Sequence, residues 1–178
     1  MLHTGTSGIV HVASNVSFDP DPNKVIPSVL SGLDNTLEAA TTEPKMKRFV
    51  YTSSSFAATY PNPDKKIDID VDTWNNECIK NAWAPGPYPP ERAWDVYGAS
   101  KTQAEQELWK FAKERKPHFE TNAVLPNANF GPVLAPGDDG ASTAAWATTL
   151  FLKGEEGLKG LQDIPPRGLD HPSIIAEC

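Results

Sequence analysis

The sequence predicts an α/β fold in which a parallel sheet is built from strand–helix–strand units. Three observations lead to this prediction. Short runs at residues 8–13, 49–52 and 119–125 are rich in β-branched and aromatic residues, which is typical of buried strands. Longer segments with apolar residues at helical spacing lie between these runs. Such an alternation predicts parallel strands joined by right-handed crossovers.

The first strand is predicted at residues 8–13, where the run GIVHVA is closed by the polar Ser14. Because the run is apolar apart from His11, we expect it to be buried, with another layer covering its far side. Three prolines between residues 20 and 27 predict a loop. Apolar residues at helical spacing then predict an amphipathic helix over residues 28–41.

The second strand, residues 49–52, ends in the three hydroxyl side chains of Ser53, Ser54 and Ser55. Residues 60–95 contain many prolines and no sustained period, which predicts a long surface segment without regular structure. A helix is predicted from Asp95 to Arg115, ending before a proline. Its apolar positions form one face, and its charged residues, Glu105 among them, are expected elsewhere.

The third strand is followed by a loop at residues 131–140 that is rich in glycine and proline, and by a predicted helix from Ser142 to Lys153. After residue 158 further prolines interrupt any helical pattern, and no strand is predicted there. The sequence shows no internal repeat or low-complexity tract.

Composition excludes several classes of function. The chain has 178 residues and a formal net charge of -7, with its acidic residues scattered, which argues against nucleic acid and anionic membranes as partners. The two cysteines, Cys78 and Cys178, have no metal-ligand spacing to the four histidines, so we expect no metal site. No apolar window is long enough to span a bilayer, and we expect a cytoplasmic protein.

Tyr97 and Lys101 are the strongest candidates for chemistry, because side chains four residues apart project from the same face of a helix. A phenol needs a nearby cation to exchange a proton near neutral pH, and Lys101 could supply that charge. This pair alone also occurs by chance on exposed helices. The hydroxyl side chains that end the second strand strengthen it, because ligands of parallel α/β sheets gather at the carboxyl ends of strands.

The other polar candidates have simpler interpretations. Any single serine of the run can act only as a cap, and this is the safer interpretation for Ser55. At least one of Ser53 and Ser54 is expected to face the crevice, since side chains alternate along a strand. His11 is more often a packed histidine than a general base in such a position.

Four stretches, in order, resemble the extended short-chain dehydrogenase/reductases, and within them fungal aldehyde and carbonyl reductases related to dihydroflavonol reductase. They are VHVAS at residues 10–14, RFVYTSS at 48–54, VYGASKTQAE at 96–105 and VLPNANFGP at 124–132. The resemblance covers roughly residues 8–167.

The resemblance implies a partial Rossmann-like, doubly wound parallel sheet that lacks its first βαβ portion. In this family a glycine-rich phosphate loop comes before the matching residues, so we expect that loop to be missing and cofactor binding to be impaired. Residues 1–157 would form this partial NAD(P)-binding domain. Residues 158–178 would be an irregular tail or the remnant of a substrate lobe.

The resemblance also implies the reduction of an aldehyde or ketone with NADP as the cofactor, or NAD as the alternative. Tyr97 would donate a proton to the carbonyl oxygen, Ser54 would donate a hydrogen bond to it, and Lys101 would lower the Tyr97 pKa and hold the nicotinamide ribose. The implied cofactor-binding residues are His11, Ala13, Ser14, Ser53, Tyr97, Lys101, Pro126, Asn127 and Ser142.

The expected partners are a small carbonyl substrate and a second copy of the chain, bound through helices 28–41 and 97–116. Two other functions stay open. One is a non-catalytic chain that associates with a full-length reductase, and the other is a sugar-nucleotide epimerase or dehydratase, which would use the same residues. Substrate identity and stereochemistry are not readable from the sequence.

Overall fold

The computed structural model describes residues 5–60, 66–127, 129, 152–156 and 174–177. The chain divides into two compact units. The first comprises Met1–Tyr60, Asp68–Pro126 and Ser173–Cys178, and the second comprises Pro61–Ile67 and Asn127–Pro172. The predicted loop at residues 131–140 lies outside the described residues, as does the predicted helix at residues 142–153 except at its last two positions. The predicted division at residue 157 stays a prediction.

The first unit contains a four-stranded sheet. Its strands are β1 (Gly8–His11), β2 (Arg48–Thr52), β3 (Glu120–Leu125) and β4 (Ile174–Glu177), in that spatial order. The first three run parallel and β4 runs antiparallel to β3. The predicted parallel α/β sheet is therefore confirmed. The strand β4 was not predicted, because four residues behind a proline-rich stretch show no alternation long enough to recognise.

The first strand departs from the expectation of full burial. Val10 is 66% exposed and Val12 62% exposed, while Ile9 and His11 are half-buried. The strand also ends at His11, before the end of the apolar run. The prediction of a buried strand was wrong because β1 pairs only with β2 among the described strands, and only one of its faces packs against helices.

The helix α1 (Pro22–Thr41) begins six residues earlier than predicted. Pro22 occupies its first turn, where a missing N–H costs nothing, and the Asp21 side chain caps the helix by accepting a hydrogen bond from the backbone N–H of Asn23 at 3.0 Å. Pro27 lies inside the helix. The loop predicted from these prolines was therefore wrong, since Asp21 and Pro22 together form a helix start.

The helix α2 (Asn76–Ala82) lies within the segment predicted to lack regular structure. Its start is capped by Asn75, whose side chain accepts from the backbone N–H of Cys78 at 3.1 Å and donates to the carbonyl of Phe56 at 2.9 Å. Only Cys78 and Ala82 of this helix are buried. Seven residues with two buried positions give no readable period, so the sequence prediction missed the helix.

The helix α3 (Ala93–Arg115) confirms the prediction of a long helix. It ends at Lys116, whose φ of 44° is left-handed, immediately before Pro117. Helices α1 and α3 pack against each other and share one core with the sheet. Two crossovers that advance in the same direction across a parallel sheet place their helices on the same face. The core therefore lies between these helices and that face, and includes Leu33, Phe49, Tyr51, Leu108 and Ala123.

Candidate active site

The carboxyl end of the central strand β2 continues beyond Thr52 along β3. The backbone N–H of Ser53 donates to the Val124 carbonyl at 2.8 Å, and that of Ser55 donates to the Pro126 carbonyl at 3.0 Å. A short 3-10 turn, Ser55–Ala57, follows and contacts α3. These bonds fix the predicted serines at the strand end and bring them beside the helix that carries Tyr97 and Lys101.

Ser54 is buried and starts this turn. Its hydroxyl oxygen accepts a hydrogen bond from the backbone N–H of Phe56 at 3.3 Å. The capping interpretation weighed for the serines therefore applies to Ser54. Capping uses the oxygen as an acceptor and leaves the O–H group able to donate to another oxygen. Ser54 can thus serve as a cap and as a donor to a carbonyl at the same time.

The neighbouring Ser53 points the other way, into the space between β2 and α3. Its hydroxyl donates to the carboxylate of Glu105. Glu105 is 3% exposed, so the prediction that this charge lies away from the buried face was wrong. The missed signal is spacing: Glu105 follows Lys101 by four residues and Tyr97 by eight, which places all three on one helix face.

Among the described residues, Lys101 is the other buried charge, with 4% exposure. Its Nζ donates to the carbonyl oxygen of Thr52 at 3.1 Å and lies 5.7 Å from the centre of the Tyr51 ring. Burial lowers the pKa of Lys101 to about 8, and the nearby Glu105 acts in the opposite direction. A lysine with this pKa is still mostly protonated at neutral pH, and it is closer to a proton-transfer role than an exposed lysine.

Tyr97 is half-buried among aromatic rings. Its ring centre lies 5.4 Å from that of Phe18, 5.9 Å from that of Phe56 and 6.3 Å from that of Trp94. Phe18 reaches this position from the loop after β1 with a left-handed φ of 53°. Sequence reasoning missed this aromatic cluster, because its members come from three separate segments.

The residues predicted after β1 occupy different environments. The His11 ring stacks between Phe49 and Tyr51, with ring centres 6.2 and 5.8 Å away. Its pKa is lowered by burial and by the charge of Lys101, which favours a neutral imidazole. Ala13 is exposed. The Ser14 hydroxyl is buried and has no hydrogen-bond partner among the described residues.

The residues predicted after β3 are only partly described. Pro126 belongs to the first unit and uses its carbonyl to hold Ser55. Asn127 belongs to the second unit, where its carbonyl accepts from the side chain of Asn129 at 3.0 Å. Ser142 lies outside the described residues. Among the residues that the structure describes, no group of His, Cys, Asp and Glu side chains is suited to hold a metal ion.

Comparison with known proteins identifies the family. Residues 1–119, more than half of the chain, match the NAD-binding family described as Male sterility protein. The chain belongs to this family. The resemblance to the short-chain dehydrogenase/reductases is thereby confirmed, together with the Rossmann-like fold that it implied. No helix in the described part of the chain is both long enough and apolar enough to cross a membrane.

Fungal relatives of this family member are similar over most of the chain. The NAD-dependent epimerase/dehydratase terH of Aspergillus terreus is 50% identical over 144 residues, which is 81% of this chain and 42% of terH. Aldehyde reductase 2 of Sporidiobolus salmonicolor is 42% identical over 148 residues, which is 83% of this chain and 43% of the reductase. The chain thus spans less than half the length of these relatives.

A solved structure shares the fold. Yeast methylglyoxal/isovaleraldehyde reductase Gre2, complexed with NADPH, superposes with a TM-score of 0.66 at 24% identity. The match covers 82% of this chain and 44% of Gre2. At this identity the likeness concerns the fold alone.

Proposed function

We propose that this chain carries the catalytic residues of an NAD(P)H-dependent reductase of aldehydes or ketones. One observation carries the proposal: Lys101 is buried on the same helix face as Tyr97, beside the end of the central strand where Ser54 lies. Burying an ammonium group is costly, and a buried charge with a perturbed pKa at the end of a strand is a candidate functional group. The similarity to an aldehyde reductase supports the same chemistry.

The residues present fit the nicotinamide end of the cofactor. Lys101 has three N–H donors, and its bond to the Thr52 carbonyl leaves donors for the hydroxyls of a ribose. The Ser14 hydroxyl, buried without a partner among the described residues, would gain one from a polar ligand at the end of β1. We propose NADPH as the cofactor, with NADH as the competing candidate, because the family binds NAD and Gre2 of the same fold is complexed with NADPH.

Tyr97, Ser54 and Lys101 would each have a separate role at the carbonyl oxygen of the substrate. Tyr97 donates its phenolic proton to that oxygen, and the Ser54 O–H holds it by a hydrogen bond. The Lys101 ammonium stabilises the phenolate that Tyr97 becomes. When bound, the cofactor supplies the hydride for the carbonyl carbon. The rings of Phe18 and Phe56 pack against the Tyr97 ring and hold it in place beside the strand end.

The test measures the reduction of a panel of aldehydes and ketones, and the loss of NADPH or NADH absorbance reports the rate. Tyr97→Phe removes only the proton donor, so we expect turnover to fall roughly 100- to 10,000-fold. Tyr88→Phe is the matched control, because Tyr88 is 39% exposed and lies against Arg92, and it should leave turnover unchanged. Because cofactor binding is expected to be impaired, turnover is measured at saturating cofactor. Equal turnover in the wild-type chain and Tyr97→Phe, or no turnover of the wild-type chain at saturation, contradicts the proposal.

A non-catalytic chain that associates with a reductase is the second candidate. The exposed Val10 of β1 and Val12 just after it favour this candidate, because β1 is an edge strand among the described strands and exposed apolar side chains at an edge promote association. Val10→Lys should then abolish co-purification with an intact reductase. If the chain shows turnover and no co-purification, this candidate fails.

The homodimer through helices 28–41 and 97–116 is a separate proposal. The outward positions of the two helices are polar, as Ser31, Asp34, Glu38 and Lys110 illustrate. Such a surface resembles a weak or transient interface more than an obligate one. Light scattering over a range of salt and protein concentrations would test it, and a monomer at every concentration contradicts it.

A further inference from the structure

Glu105 is a buried carboxylate that has no part in the proposed proton transfer. It is 3% exposed and receives hydrogen bonds from two side chains: Ser53 of the segment after β2, and Trp109 one turn further along α3, at 3.4 Å from its Nε1. Carboxylates are almost never fully buried unless they are paired. The chain therefore maintains Glu105 inside its core by two dedicated donors.

The position of Glu105 connects the two halves of the candidate site. On α3 it lies one turn beyond Lys101, which itself lies one turn beyond Tyr97. Across the gap to β2 it holds Ser53, the residue directly before Ser54. One carboxylate is thus placed to act on the lysine through its charge and on the serine segment through a hydrogen bond.

We propose that Glu105 is a positioning residue that keeps Lys101 protonated and fixes the strand end bearing Ser54. Its consequence for catalysis rests on the proposed function, but its effect on Lys101 requires no cofactor. Because the ammonium is buried, the opposite charge one turn away is what favours its protonated form.

The electrostatic environment of Lys101 supports this role. Burial raises the pKa of Glu105, and the hydrogen bonds from Ser53 and Trp109 oppose that change. Two other titratable groups lie near Lys101, His11 from β1 and Tyr51 from β2, and Tyr97 precedes it by one turn on α3. Burial and the Lys101 charge lower the pKa of His11, and burial raises that of Tyr51, so both are neutral near pH 7. Among these neighbours, Glu105 supplies the negative charge.

The experiment is a pH titration of the lysine side chains by NMR, using 13C-labelled lysine in the full chain without cofactor. The Lys101 signal is assigned by its loss in Lys101→Arg. Glu105→Gln keeps the shape and an acceptor oxygen but removes the charge, so we expect the Lys101 midpoint to fall from about 8 by roughly 1–3 pH units. An unchanged midpoint overturns the inference.

The matched control is Glu107→Gln on the same helix. Glu107 is half-exposed and pairs with Lys110 at 3.1 Å, so its loss should leave the Lys101 midpoint unchanged. An equal fall in both variants means that the lysine responds to any charge on the helix, and this also overturns the inference.

A second variant keeps the inference testable if Glu105→Gln does not fold. Ser53→Ala retains the carboxylate but removes a donor that favours its charged form. In a chain labelled with 13C at both glutamate and lysine, we expect the Glu105 midpoint to rise and the Lys101 midpoint to fall by less than in Glu105→Gln, whereas two unchanged midpoints overturn the inference.

Failure of the two proposals gives different results. A chain without reductase turnover but with the Lys101 shift refutes only the proposed function. A chain with turnover whose Lys101 midpoint ignores Glu105→Gln refutes only the role of Glu105.

Discussion

The two long helices in the described part of the chain cover the same face of the sheet, but they bury different kinds of side chain. Every buried residue of α1 is apolar: Pro22, Val25, Ile26, Val29, Leu33, Leu37 and Ala40. Helix α3 instead buries four polar side chains beside its apolar ones: Ser100, Lys101, Thr102 and Glu105. Because burial of a charge costs stability that apolar packing does not, the difference identifies α1 as a packing helix and supports the proposal that α3 carries the catalytic residues.

Each buried polar side chain of α3 has a hydrogen-bond partner. Ser100 and Thr102 donate to carbonyls of the preceding turn, at 2.7 Å to Tyr97 and 2.8 Å to Gly98. Thr102 also donates to the Ala57 carbonyl at 3.3 Å, and Lys101 and Glu105 form hydrogen bonds with the segment around the end of β2. The local bonds satisfy hydroxyls at little cost, whereas the distant bonds tie the helix to the strand end.

The largest effect on stability is expected in the packing helix. Leu33→Ala removes a side chain with no exposure and leaves a cavity, so the free energy of unfolding should fall by about 2–5 kcal/mol in urea denaturation. The pKa of Lys101 should be the same in Leu33→Ala as in the wild-type chain. Leu152→Ala, at a position that is 83% exposed, is the control for side-chain size and should change stability by less than about 0.5 kcal/mol. Similar losses at both positions would contradict this account of α1.

The next effect concerns the buried charge of α3 and depends on pH. The pKa of Lys101 is lowered from 10.5 to about 8, so above pH 8 the unfolded chain binds more protons than the native one. The cost of burying Lys101 is therefore fully present below pH 8 and is relieved as the pH rises toward 10.5. Unfolding experiments should therefore show that the free energy of unfolding of the wild-type chain, relative to that of Lys101→Met, rises by on the order of 1–3 kcal/mol between pH 7 and pH 10.

The control for this pH dependence is Lys110→Met. Glu107 raises the pKa of the exposed Lys110, so its contribution changes only above pH 10.5 and has the opposite sign. If the native chain shows the same pH dependence relative to both variants, Lys101 is not the group responsible.

Each of the two helices contains a glycine, and the surroundings of the two glycines differ. A Cβ at Gly98 of α3 would lie 2.8 Å from the Sγ of Cys78, whereas a Cβ at Gly32 of α1 meets nothing within 4 Å. Gly98→Ala should therefore lower the free energy of unfolding by about 1–3 kcal/mol. Gly32→Ala should raise it by about 0.5–1 kcal/mol, because alanine favours the helix.

Thermal unfolding of both variants measures this difference in sign. The double variant Gly98→Ala, Cys78→Ala removes the atom in the way and should recover part of the loss. Stabilisation by Gly98→Ala alone would show that α2 does not pack closely on α3 at this point.

The smallest effect on stability is expected at Tyr51, whose ring lies near the Lys101 ammonium. The Tyr51 hydroxyl is buried and has no hydrogen-bond partner among the described residues. Tyr51→Phe removes this group but keeps the ring below the ammonium, so stability should rise by about 0.5–1 kcal/mol. Tyr88→Phe, on the exposed surface, should change nothing measurable. A loss of stability in Tyr51→Phe would indicate that the hydroxyl has a partner.

Much of the architecture was predictable, because strands and helices follow local patterns. The three parallel strands and the helix carrying Tyr97 and Lys101 lie where periodicity placed them. The early start of α1 was also encoded locally, since Asp21 followed by Pro22 is a helix start that the prolines disguised as a loop. The short elements α2 and β4 were not predictable, because each depends on contacts with segments far away in sequence.

The sequence by itself determined the alternation of parallel strands and helices along the chain, the helix face shared by Tyr97 and Lys101, and the family. These features depend on period, spacing and motif, which are properties of neighbouring residues. Only the tertiary structure decided that Glu105 is buried, that Ser53 binds it while Ser54 caps a turn, and that Phe18 packs on Tyr97. Burial and pairing depend on which distant segments the fold brings together, and they set the free energy of each charge.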